Sequence, residues 1–195
     1  MNHPSNKLII IAAPSGAGKT SVTKHLLKTF PAQLVFSISC ATRPPRNHEK
    51  HGVDYYFISA DEFKRRIDSK EFAEWEMVYE GKYYGTLKRE LDRIWQQNKV
   101  PLLDVDVQGG LNIQQQYPRQ SLSLFIEPPS IEELEKRLKA RGSETQESLK
   151  ARIEKASSEV TYQDRFDHVI MNDVLERACK EAEAIVRKFL DPQTL

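Results

Sequence analysis

The sequence feature that most constrains the fold is a glycine-rich stretch near the start of the chain, residues 13–20, which read APSGAGKT. An apolar run, residues 8–12, precedes it, and a segment of helical character follows. A strand, a GxxxxGK[ST]-type loop and a helix in this order are typical of a phosphate-binding loop, in which backbone N–H groups surround phosphate oxygens. The positive end of the following helix favours the same anion. The stretch therefore predicts a site for a nucleoside triphosphate.

Within this loop, Lys19 would reach the β- and γ-phosphates, and the Thr20 hydroxyl would bind Mg²⁺. The first glycine of the pattern is replaced by Ala13, which fits only if the backbone there has a negative φ. The alternative is a glycine-rich turn between strand and helix that binds nothing. The placement of Gly16 and Gly18 after a strand favours the phosphate loop over this alternative.

Length and composition are those of a soluble globular protein. The chain has 195 residues, 39% of them hydrophobic and 29% charged, which suits one compact domain with small subdomains. The net charge of +1 is spread along the chain and gives no sign of nucleic-acid binding. No run approaches the length of a membrane span, and Cys40 and Cys179 lack metal or disulfide spacing. We therefore expect a cytoplasmic protein that binds neither nucleic acid nor membrane.

Strand-like and helix-like segments alternate along most of the chain, which predicts an α/β fold with a parallel sheet. The predicted strands are residues 7–13, 34–39, 100–106, 121–127 and 166–171. The predicted helices include residues 18–29 and about 174–190.

Two stretches depart from this alternation. Residues 40–86 are rich in Tyr, Arg and turn residues, and they predict a smaller insertion with short strands and a helix near 61–70. Residues 137–157 are highly charged, and Gly142 separates two helical segments there. The first of those helices has a capping box at 130–133. This second stretch is either a mobile flap or a solvated helical hairpin.

A pair of carboxylates ends the predicted strand 100–106. Asp104 and Asp106 are two residues apart, so both side chains point to the same side of a strand. In phosphate-loop proteins an acidic residue at the end of a neighbouring strand holds Mg²⁺, often through water. Ligands of open α/β sheets also collect at the carboxyl ends of strands. Without the phosphate loop this signal would be weak.

The insertion has a second candidate anion site. Arg43 and Arg46 flank a stiff Pro-Pro pair and could hold one phosphate in bidentate fashion, and Tyr55, Tyr83 and Tyr84 could add hydroxyl donors. An exposed basic loop is the alternative, and this motif alone does not decide between the two.

Taken together, the ordered motifs resemble those of the guanylate kinase family. They are APSGAGKT, SCATRPPR, HGVDYYF, EFAEWEMVYEGKYYGT, LLDVDVQG, KRLKARG and MND. The resemblance runs from about Lys7 to about Leu190, nearly the whole chain. It implies an ATP-dependent, Mg²⁺-dependent kinase that converts GMP, and dGMP, to the diphosphate. It implies no obligate protein partner.

The resemblance also implies three parts and a set of site residues. The parts are a P-loop core with a parallel sheet flanked by helices (1–38, 87–136 and 158–195), a GMP-binding domain (39–86) and a lid (137–157). ATP would be bound by Ala13, Pro14, Ser15, Gly16, Ala17, Gly18, Lys19, Thr20, Ser21 and Asn172. GMP would be bound by Ser39, Arg43, Arg46, Tyr55, Glu74, Tyr84, Thr86 and Asp106. The catalytic residues would be Lys19, Arg43, Arg137, Arg141 and Arg152. Mg²⁺ would be held by Thr20 and Asp104, directly or through water.

The residue types suit this chemistry. Guanine offers N–H donors at N1 and N2, where adenine offers an acceptor at N1, and a carboxylate such as Glu74 only accepts. Against adenine the buried carboxylate would lose its partner, so the site would reject as well as select. The alternative for Glu74 is an ordinary surface glutamate. Arg137 and Arg141 lie four residues apart on one helix face, a like-charge pair that makes sense around an anion.

Two other functions are compatible with parts of this pattern. A kinase of the same fold could act on another phosphorylated acceptor, such as ribose 1,5-bisphosphate, but Glu74 and Thr86 favour a guanine. A guanylate kinase-like binding module for phosphopeptides is the other alternative, and such modules typically lack an intact phosphate loop. Ala13 and a longer link between Trp75 and Tyr83 are the departures from the family pattern, and the longer link could shift Tyr84.

Overall fold

The computed structural model describes residues 6–46, 49–140 and 146–191, which form two sheets with helices packed against them. The strands are β1 (Leu8–Ala12), β2 (Leu34–Phe36), β3 (Cys40–Ala41), β4 (Tyr56–Phe57), β5 (Phe72–Tyr79), β6 (Lys82–Leu87), β7 (Val100–Val105), β8 (Ser121–Glu127) and β9 (His168–Met171). The helices are α1 (Lys19–Thr29), α2 (Ala60–Asp68), α3 (Lys88–Trp95), α4 (Val107–Gln116), α5 (Ile131–Ala140), α6 (Gln146–Val160) and α7 (Leu175–Leu190).

The larger sheet is entirely parallel, with strand order β2-β7-β1-β8-β9. Its central strand, β1, is fully buried because it has a strand on each side and helices on both faces. Successive side chains point to opposite faces: Ile9 and Ile11 join the core formed with α1 and α7, and Leu8 and Ile10 join the core on the other face. The predicted α/β fold, a P-loop core with a parallel sheet flanked by helices, is confirmed.

The register of β1 brings the ends of three strands level. Ala12 pairs with Val105 of β7 and with Phe125 of β8. The loop that follows β1 therefore lies beside Asp104 and Asp106 at the carboxyl edge of the sheet, where open α/β sheets bind their ligands.

The smaller sheet has the strand order β4-β3-β6-β5, and β5 and β6 form its antiparallel hairpin. Its core consists of Cys40, Phe63, Phe72 and Leu87, with the rings of Phe63 and Phe72 stacked at 4.3 Å. This is the insertion of short strands and one helix predicted between residues 40 and 86. The helix α2 begins after Ser59, whose hydroxyl accepts from the Glu62 N–H at 3.1 Å.

A buried carboxylate ties the two sheets together. Glu90, in the first turn of α3, is 3% exposed and accepts hydrogen bonds from the Ile38 N–H (3.1 Å) and the Tyr56 hydroxyl (3.3 Å). Arg93 donates to it at 2.7 Å and neutralises its charge. Ile38 lies in the crossing between the sheets and Tyr56 in the smaller sheet, so Glu90 fixes their junction.

The charged helical stretch is a pair of helices with a small core of its own. Leu134 and Leu138 of α5 pack with Ala156 of α6, and Leu149 and Ile153 lie against them. The Ser130 hydroxyl accepts from the Glu133 N–H at 3.2 Å, which confirms the predicted start of α5. Gly142 lies outside the described residues.

The predicted strand 34–39 is wrong over its second half. The strand β2 ends at Phe36, and the N–H of Ser37 makes one more bond to the first sheet, to the Leu102 carbonyl at 3.0 Å. The carbonyl of Ser39 already accepts from Tyr56 in the second sheet. The apolar run continues because the chain stays buried while it crosses between sheets, and periodicity alone does not report that crossing.

The strand predicted over residues 166–171 begins only at His168, two residues later than predicted. A 3₁₀ turn, Gln163–Arg165, precedes it, and the Asp167 carboxylate accepts from both the N–H and the hydroxyl of Ser123 at 2.8 Å. These bonds hold the chain at β8 before ladder pairing starts at His168.

Within the part of the chain that the structure describes, no helix is long and apolar enough to cross a membrane. Cys40 and Cys179 are both buried and free, and burial raises the pKa of the Cys40 thiol to about 12. Both cysteines therefore act as small packing residues.

We predict that Phe63→Ala lowers the free energy of unfolding by about 3–5 kcal/mol, because it removes a fully buried ring that stacks on Phe72. Urea unfolding monitored by circular dichroism measures this. Met77→Ala is the matched control, since Met77 is half exposed and should change stability by less than about 0.5 kcal/mol. Equal effects of the two substitutions would contradict this description of the second core.

Candidate active site

A cleft of about 240 Å³ opens at the carboxyl edge of the parallel sheet, between the loop after β1, the smaller sheet and α6. It brings together most of the predicted site residues: Ala13, Pro14, Ser15, Gly16, Gly18, Lys19, Thr20, Ser21, Ser39, Arg43, Arg46, Tyr55, Glu74, Tyr84, Asp104, Asp106 and Arg152. Ala17 and Thr86 are buried behind its wall, and Arg137 and Asn172 lie at the outer side of the loop. Arg141 lies outside the described residues.

The loop has the backbone that its glycines predict. Gly16 and Gly18 both have φ of +96°, a conformation that side chains with a Cβ rarely adopt. Ala13 has no such φ and is buried, so an alanine is accommodated at the first position of the pattern. In α1, all of whose residues are described, no side chain caps the N-terminus and the first turn has no acidic residue. The N-terminus of α1 is therefore open to an anion, and its first residues, Lys19 and Thr20, line the cleft.

The glycines also allow close packing around the loop. A Cβ on Gly16 would lie 3.1 Å from Leu138 of α5, and one on Gly18 would overlap the side-chain amide of Asn172. That amide donates to the Ala17 carbonyl at 2.6 Å. The loop is thus held from outside by α5 and by the residue that follows β9.

Lys19 and Thr20 both meet Asp104. Lys19 forms an ion pair with Asp104 and donates to the Val105 carbonyl at 2.7 Å, and the Thr20 hydroxyl lies 3.5 Å from the other carboxylate oxygen. Burial opposes the charge of Lys19, but Asp104 outweighs it and raises the pKa of the ammonium. Lys19 is therefore a fixed positive charge beneath the loop.

The donor set around Thr20 fits Mg²⁺. It consists of one hydroxyl and one carboxylate, which are hard oxygen ligands. Among the described residues there is no group of three His, Cys, Asp or Glu side chains that could enclose a metal. In nucleotide sites Mg²⁺ favours a few protein oxygens, and water and phosphate oxygens complete its coordination shell.

In the part of the cleft next to the smaller sheet, Arg43 has several partners. Its guanidinium makes a bidentate pair with Glu49 (2.5 and 2.7 Å), donates through Nε to the Tyr84 hydroxyl at 3.0 Å, and lies 5.1 Å from the Tyr55 ring centroid. The bonds from Arg43 lower the pKa of the Glu49 carboxyl to about 2. Arg46 is more than half exposed, with its guanidinium 3.9 Å from Glu49.

Glu49 was missed by the sequence reasoning, which looked only for groups that bind an anion. The available signal was its spacing, three residues after Arg46 and six after Arg43. A carboxylate so close to two arginines in a turn-rich loop is a natural partner for one of them.

Glu74 lies on β5 directly opposite Thr86 of β6, and both are buried. The Thr86 hydroxyl donates to Glu74 Oε1 at 2.7 Å and lies 3.4 Å from the Ser39 hydroxyl. The pKa of Glu74 is raised to about 8, mainly by burial and also by the nearby Asp106, while the hydrogen bond from Thr86 opposes part of the rise. A buried carboxyl that faces a polar cleft is typical of a functional site.

Gly109 leaves room for two carboxylates side by side. A Cβ there would lie 2.8 Å from Glu74 Oε2 and 3.0 Å from Asp106 Oδ1. Asp106 caps α4 by accepting from the Gly109 N–H at 2.8 Å. Two acceptor side chains therefore meet above the first turn of α4.

The helix pair places one cation in the cleft and another at the outer side of the glycine loop. Arg152 of α6 donates to the Ser15 hydroxyl at 3.0 Å and lies 5.4 Å from the Tyr79 ring centroid. Arg137 of α5 donates to the Asn172 carbonyl at 3.1 Å and pairs with Glu133 on its own helix at 3.4 Å.

Several lining residues were given no role from the sequence: Glu76, Val78, Tyr79, Gly85, Val105, Lys155 and Glu159. Lys155 and Glu159 lie in a long charged helix, where a pair four residues apart predicts only a solvated face. Glu159 is 9% exposed, so this part of the helix is not solvated, and burial raises the pKa of Glu159 to about 7.

A larger groove of about 810 Å³ lies on the outer side of β5, against α4. It shares Glu74 and Glu76 with the cleft but contains neither the glycine loop nor the Arg43 cluster. The cleft, which contains the glycine loop, Arg43 and the buried Glu74, is therefore the candidate active site.

Comparison with known proteins places the chain in a family. The family model described as "Guanylate kinase" matches residues 5–189. The chain belongs to the guanylate kinase family. The reaction of that family, transfer of the γ-phosphoryl group of ATP to GMP, suits a cleft with a phosphate loop at one end and buried carboxylates at the other.

Similar proteins support the family assignment over nearly the whole chain. The guanylate kinase of Bacteroides thetaiotaomicron is 46% identical over 189 residues, 97% of this chain and 92% of that protein. That of Porphyromonas gingivalis is 46% identical over 184 residues, 94% of this chain and 98% of that protein. The crystal structure of guanylate kinase from Anaplasma phagocytophilum superposes with a TM-score of 0.74 at 27% identity, and the match covers 96% of this chain and 87% of that one.

The raised pKa of Glu74 predicts a pH dependence of stability. A carboxyl whose pKa is higher in the folded than in the unfolded state binds more protons when folded, so its effect on stability becomes less favourable as pH rises. The free energy of unfolding should fall between about pH 4.5 and about pH 8, the pKa values of the two states. Glu74→Gln cannot ionise and should lack this contribution.

Urea unfolding of both proteins at several pH values measures the difference. The free energy of unfolding of Glu74→Gln relative to that of the parent chain should rise from about pH 5 to about pH 8, by at most a few kcal/mol. Parallel pH profiles for the two proteins would show that Glu74 titrates normally.

Proposed function

We propose that the chain is a working guanylate kinase that transfers the γ-phosphoryl group of ATP to GMP, and to dGMP, in the presence of Mg²⁺. The observation that carries this proposal is the pairing of Glu74 with Thr86 beside Asp106, at one end of a cleft whose other end is the phosphate loop. The cleft is therefore suited to two nucleotides, one recognised by its phosphates and the other by its base.

ATP occupies the loop end in this proposal. Backbone N–H groups of the glycine loop and of the start of α1 surround its phosphates, and Lys19 lies beneath them. Asn172, held against the Ala17 carbonyl, lies near the adenine. Thr20 and Asp104 hold Mg²⁺, which supplies charge neutralisation on the phosphates when bound.

GMP occupies the other end, with its phosphate on the second group of cations and hydroxyls. Arg43, Arg46, Tyr55 and Tyr84 surround that phosphate, and Ser39 adds a hydroxyl. Glu49 fixes the Arg43 guanidinium through two of its nitrogens, and Tyr84 holds Nε. A guanidinium held in this way is prepared for an anion without losing further side-chain entropy.

Guanine is recognised by three side chains. Glu74 and Asp106 accept from the N–H groups at N1 and N2, and the Thr86 hydroxyl lies beside the base. Adenine would place its N1 acceptor against an acceptor, and a buried carboxylate without a donor costs several kcal/mol. Burial raises the pKa of Glu74, and Glu74 binds guanine as an anion. GMP binding near neutral pH therefore releases a proton from Glu74 to solvent.

Phosphoryl transfer needs alignment and charge neutralisation more than covalent help from the protein. Lys19, Arg43 and Arg152 are arranged around the space between the two ends of the cleft. Arg137 and Arg141 belong to the helix pair, and we propose that they act on the transferring group when the lid closes. No general base is required, and closure excludes water from the reaction.

The proposed lid is the stretch 137–157, the GMP-binding domain is 39–86, and the core is the rest of the chain. The helix α5 begins at Ile131 and α6 ends at Val160, so both helices extend from the proposed lid into the core. Closure of the lid would therefore move only part of each helix. The substrates are small nucleotides, and the proposal needs no protein partner. A reducing, cytoplasmic location stays a prediction from cysteine usage.

An assay of ADP release tests the proposed reaction. With ATP and Mg²⁺, we expect strong turnover with GMP, turnover with dGMP, and little with AMP, CMP or UMP, because only guanine offers donors to both carboxylates. Ribose 1,5-bisphosphate should be inactive. Turnover with that sugar, or with none of the acceptors, would contradict the proposal, and GMP binding without turnover would favour a binding module.

We predict that Lys19→Ala lowers kcat by at least about a thousandfold while the protein stays folded, because the charge beneath the transferring phosphate is lost. Steady-state kinetics with GMP, together with circular dichroism, check this. Lys24→Ala on the exposed side of the same helix is the control and should retain the parent rate. Near-normal activity of Lys19→Ala would overturn the role of the loop.

A further inference from the structure

Lys155 connects three elements around the base-binding end of the cleft. Its ammonium lies 3.2 Å from Asp106 Oδ2, 3.3 Å from Glu159 Oε1 and 3.4 Å from the Val78 carbonyl. It also lies 5.4 Å from the centroid of the Tyr79 ring. One side chain of α6 thus contacts the residue that caps α4, a carboxylate of its own helix and the end of β5.

The surroundings of Lys155 are acidic. Asp106 and Glu159 pair with it directly, and Glu74 and Glu76 line the same cleft. Burial opposes the charge of Lys155, but Asp106 and Glu159 outweigh it, so its pKa is raised and it stays an ammonium ion. A cation is needed here because close carboxylates otherwise repel one another in a partly buried site.

Asp106 is oriented from two directions. Its Oδ1 accepts from the Gly109 N–H at 2.8 Å, and its Oδ2 accepts from Lys155 at 3.2 Å. The first contact fixes one oxygen at the helix cap, but rotation of the carboxyl plane about that point would remain possible. The second contact removes this freedom and sets where the remaining lone pairs of the carboxylate point.

We propose that Lys155 is a positioning residue that holds Asp106 to accept from the 2-amino group of guanine. This inference rests on the proposed function, in which Asp106 contacts the base. Lys155 then determines how strongly the enzyme prefers GMP to inosine monophosphate, which has the N1 donor but lacks the amino group. Because Arg152 on the same helix reaches Ser15, α6 acts on the base-binding end and the phosphate end of the cleft together.

The test compares Lys155→Met, Lys155→Arg and the parent protein with GMP and with inosine monophosphate, at saturating ATP and Mg²⁺. For Lys155→Met we expect kcat/KM with GMP to fall by roughly ten- to a hundredfold, mainly through KM, because a charge-assisted contact is lost. Inosine monophosphate should be affected by less than about threefold, since it makes no use of the oriented oxygen. Lys155→Arg should restore most of the preference, because it retains the charge.

Lys150→Met is the matched control, since Lys150 lies on the same helix, is largely exposed and pairs only loosely with Glu154 at 3.9 Å. It should leave both substrates unchanged. A double-mutant cycle adds a second readout: in an Asp106→Asn background, Lys155→Met should cause little further loss with GMP.

Equal loss with the two substrates, or an unchanged preference for GMP, would overturn the role of Lys155. In either case the parent enzyme would still phosphorylate GMP, and the proposed function would stand. Failure of the parent enzyme to act on GMP would instead overturn the proposed function itself. An additive double-mutant cycle would show that Lys155 acts independently of Asp106 and would also contradict the proposal.

Discussion

The parallel pairing of β1 with β7 and β8 is the constraint on which the rest of the structure depends. It brings the ends of these strands level, so that the glycine loop after Ala12 lies beside Asp104 and the start of α4. Lys19 then crosses beneath the loop to the Val105 carbonyl and Asp104. A shift of β1 by one residue would move Ile9 and Ile11 into the core that now holds Leu8 and Ile10, and the close packing of the two cores opposes that exchange.

In the proposed function, one end of the cleft binds its ligand through cations and the other through carboxylates, and the charged groups at each end have polar partners. At the proposed phosphate-binding end in the smaller sheet, Glu49 compensates the charge of Arg43. At the proposed base-binding end, Lys155 compensates Asp106, and Thr86 satisfies one oxygen of Glu74. Groups that bind a ligand through charge cannot be packed against apolar neighbours, so they need polar partners that hold them in place. Those partners are as much a part of the site as the ligand-binding residues.

The glycine loop and the strand before it could be predicted from sequence, because each is a local pattern that is typical of one structure. The Ser130 cap is of the same kind. The helix α4 could not be predicted, since Gly109 and Gly110 weaken any helical pattern there. The structure explains both glycines, because carboxylates lie against Gly109 and core side chains lie against Gly110. The contacts of Lys155 could not be predicted either, because a basic residue in a charged segment has many possible neighbours, and the spacing of Glu49 from Arg43 and Arg46 indicates a partner only for the arginines. The fold, rather than the local sequence, selects one.

The most direct test of this account is hydrogen exchange measured peptide by peptide, with GMP alone and with a non-hydrolysable ATP analogue and Mg²⁺ alone. The account predicts two separate patterns. GMP should protect β3, the β5–β6 hairpin and the first turn of α4, and the ATP analogue should protect residues 13–21 and the start of α1. Protection of the glycine loop by GMP with no change in the smaller sheet would contradict the assignment of the two ends of the cleft.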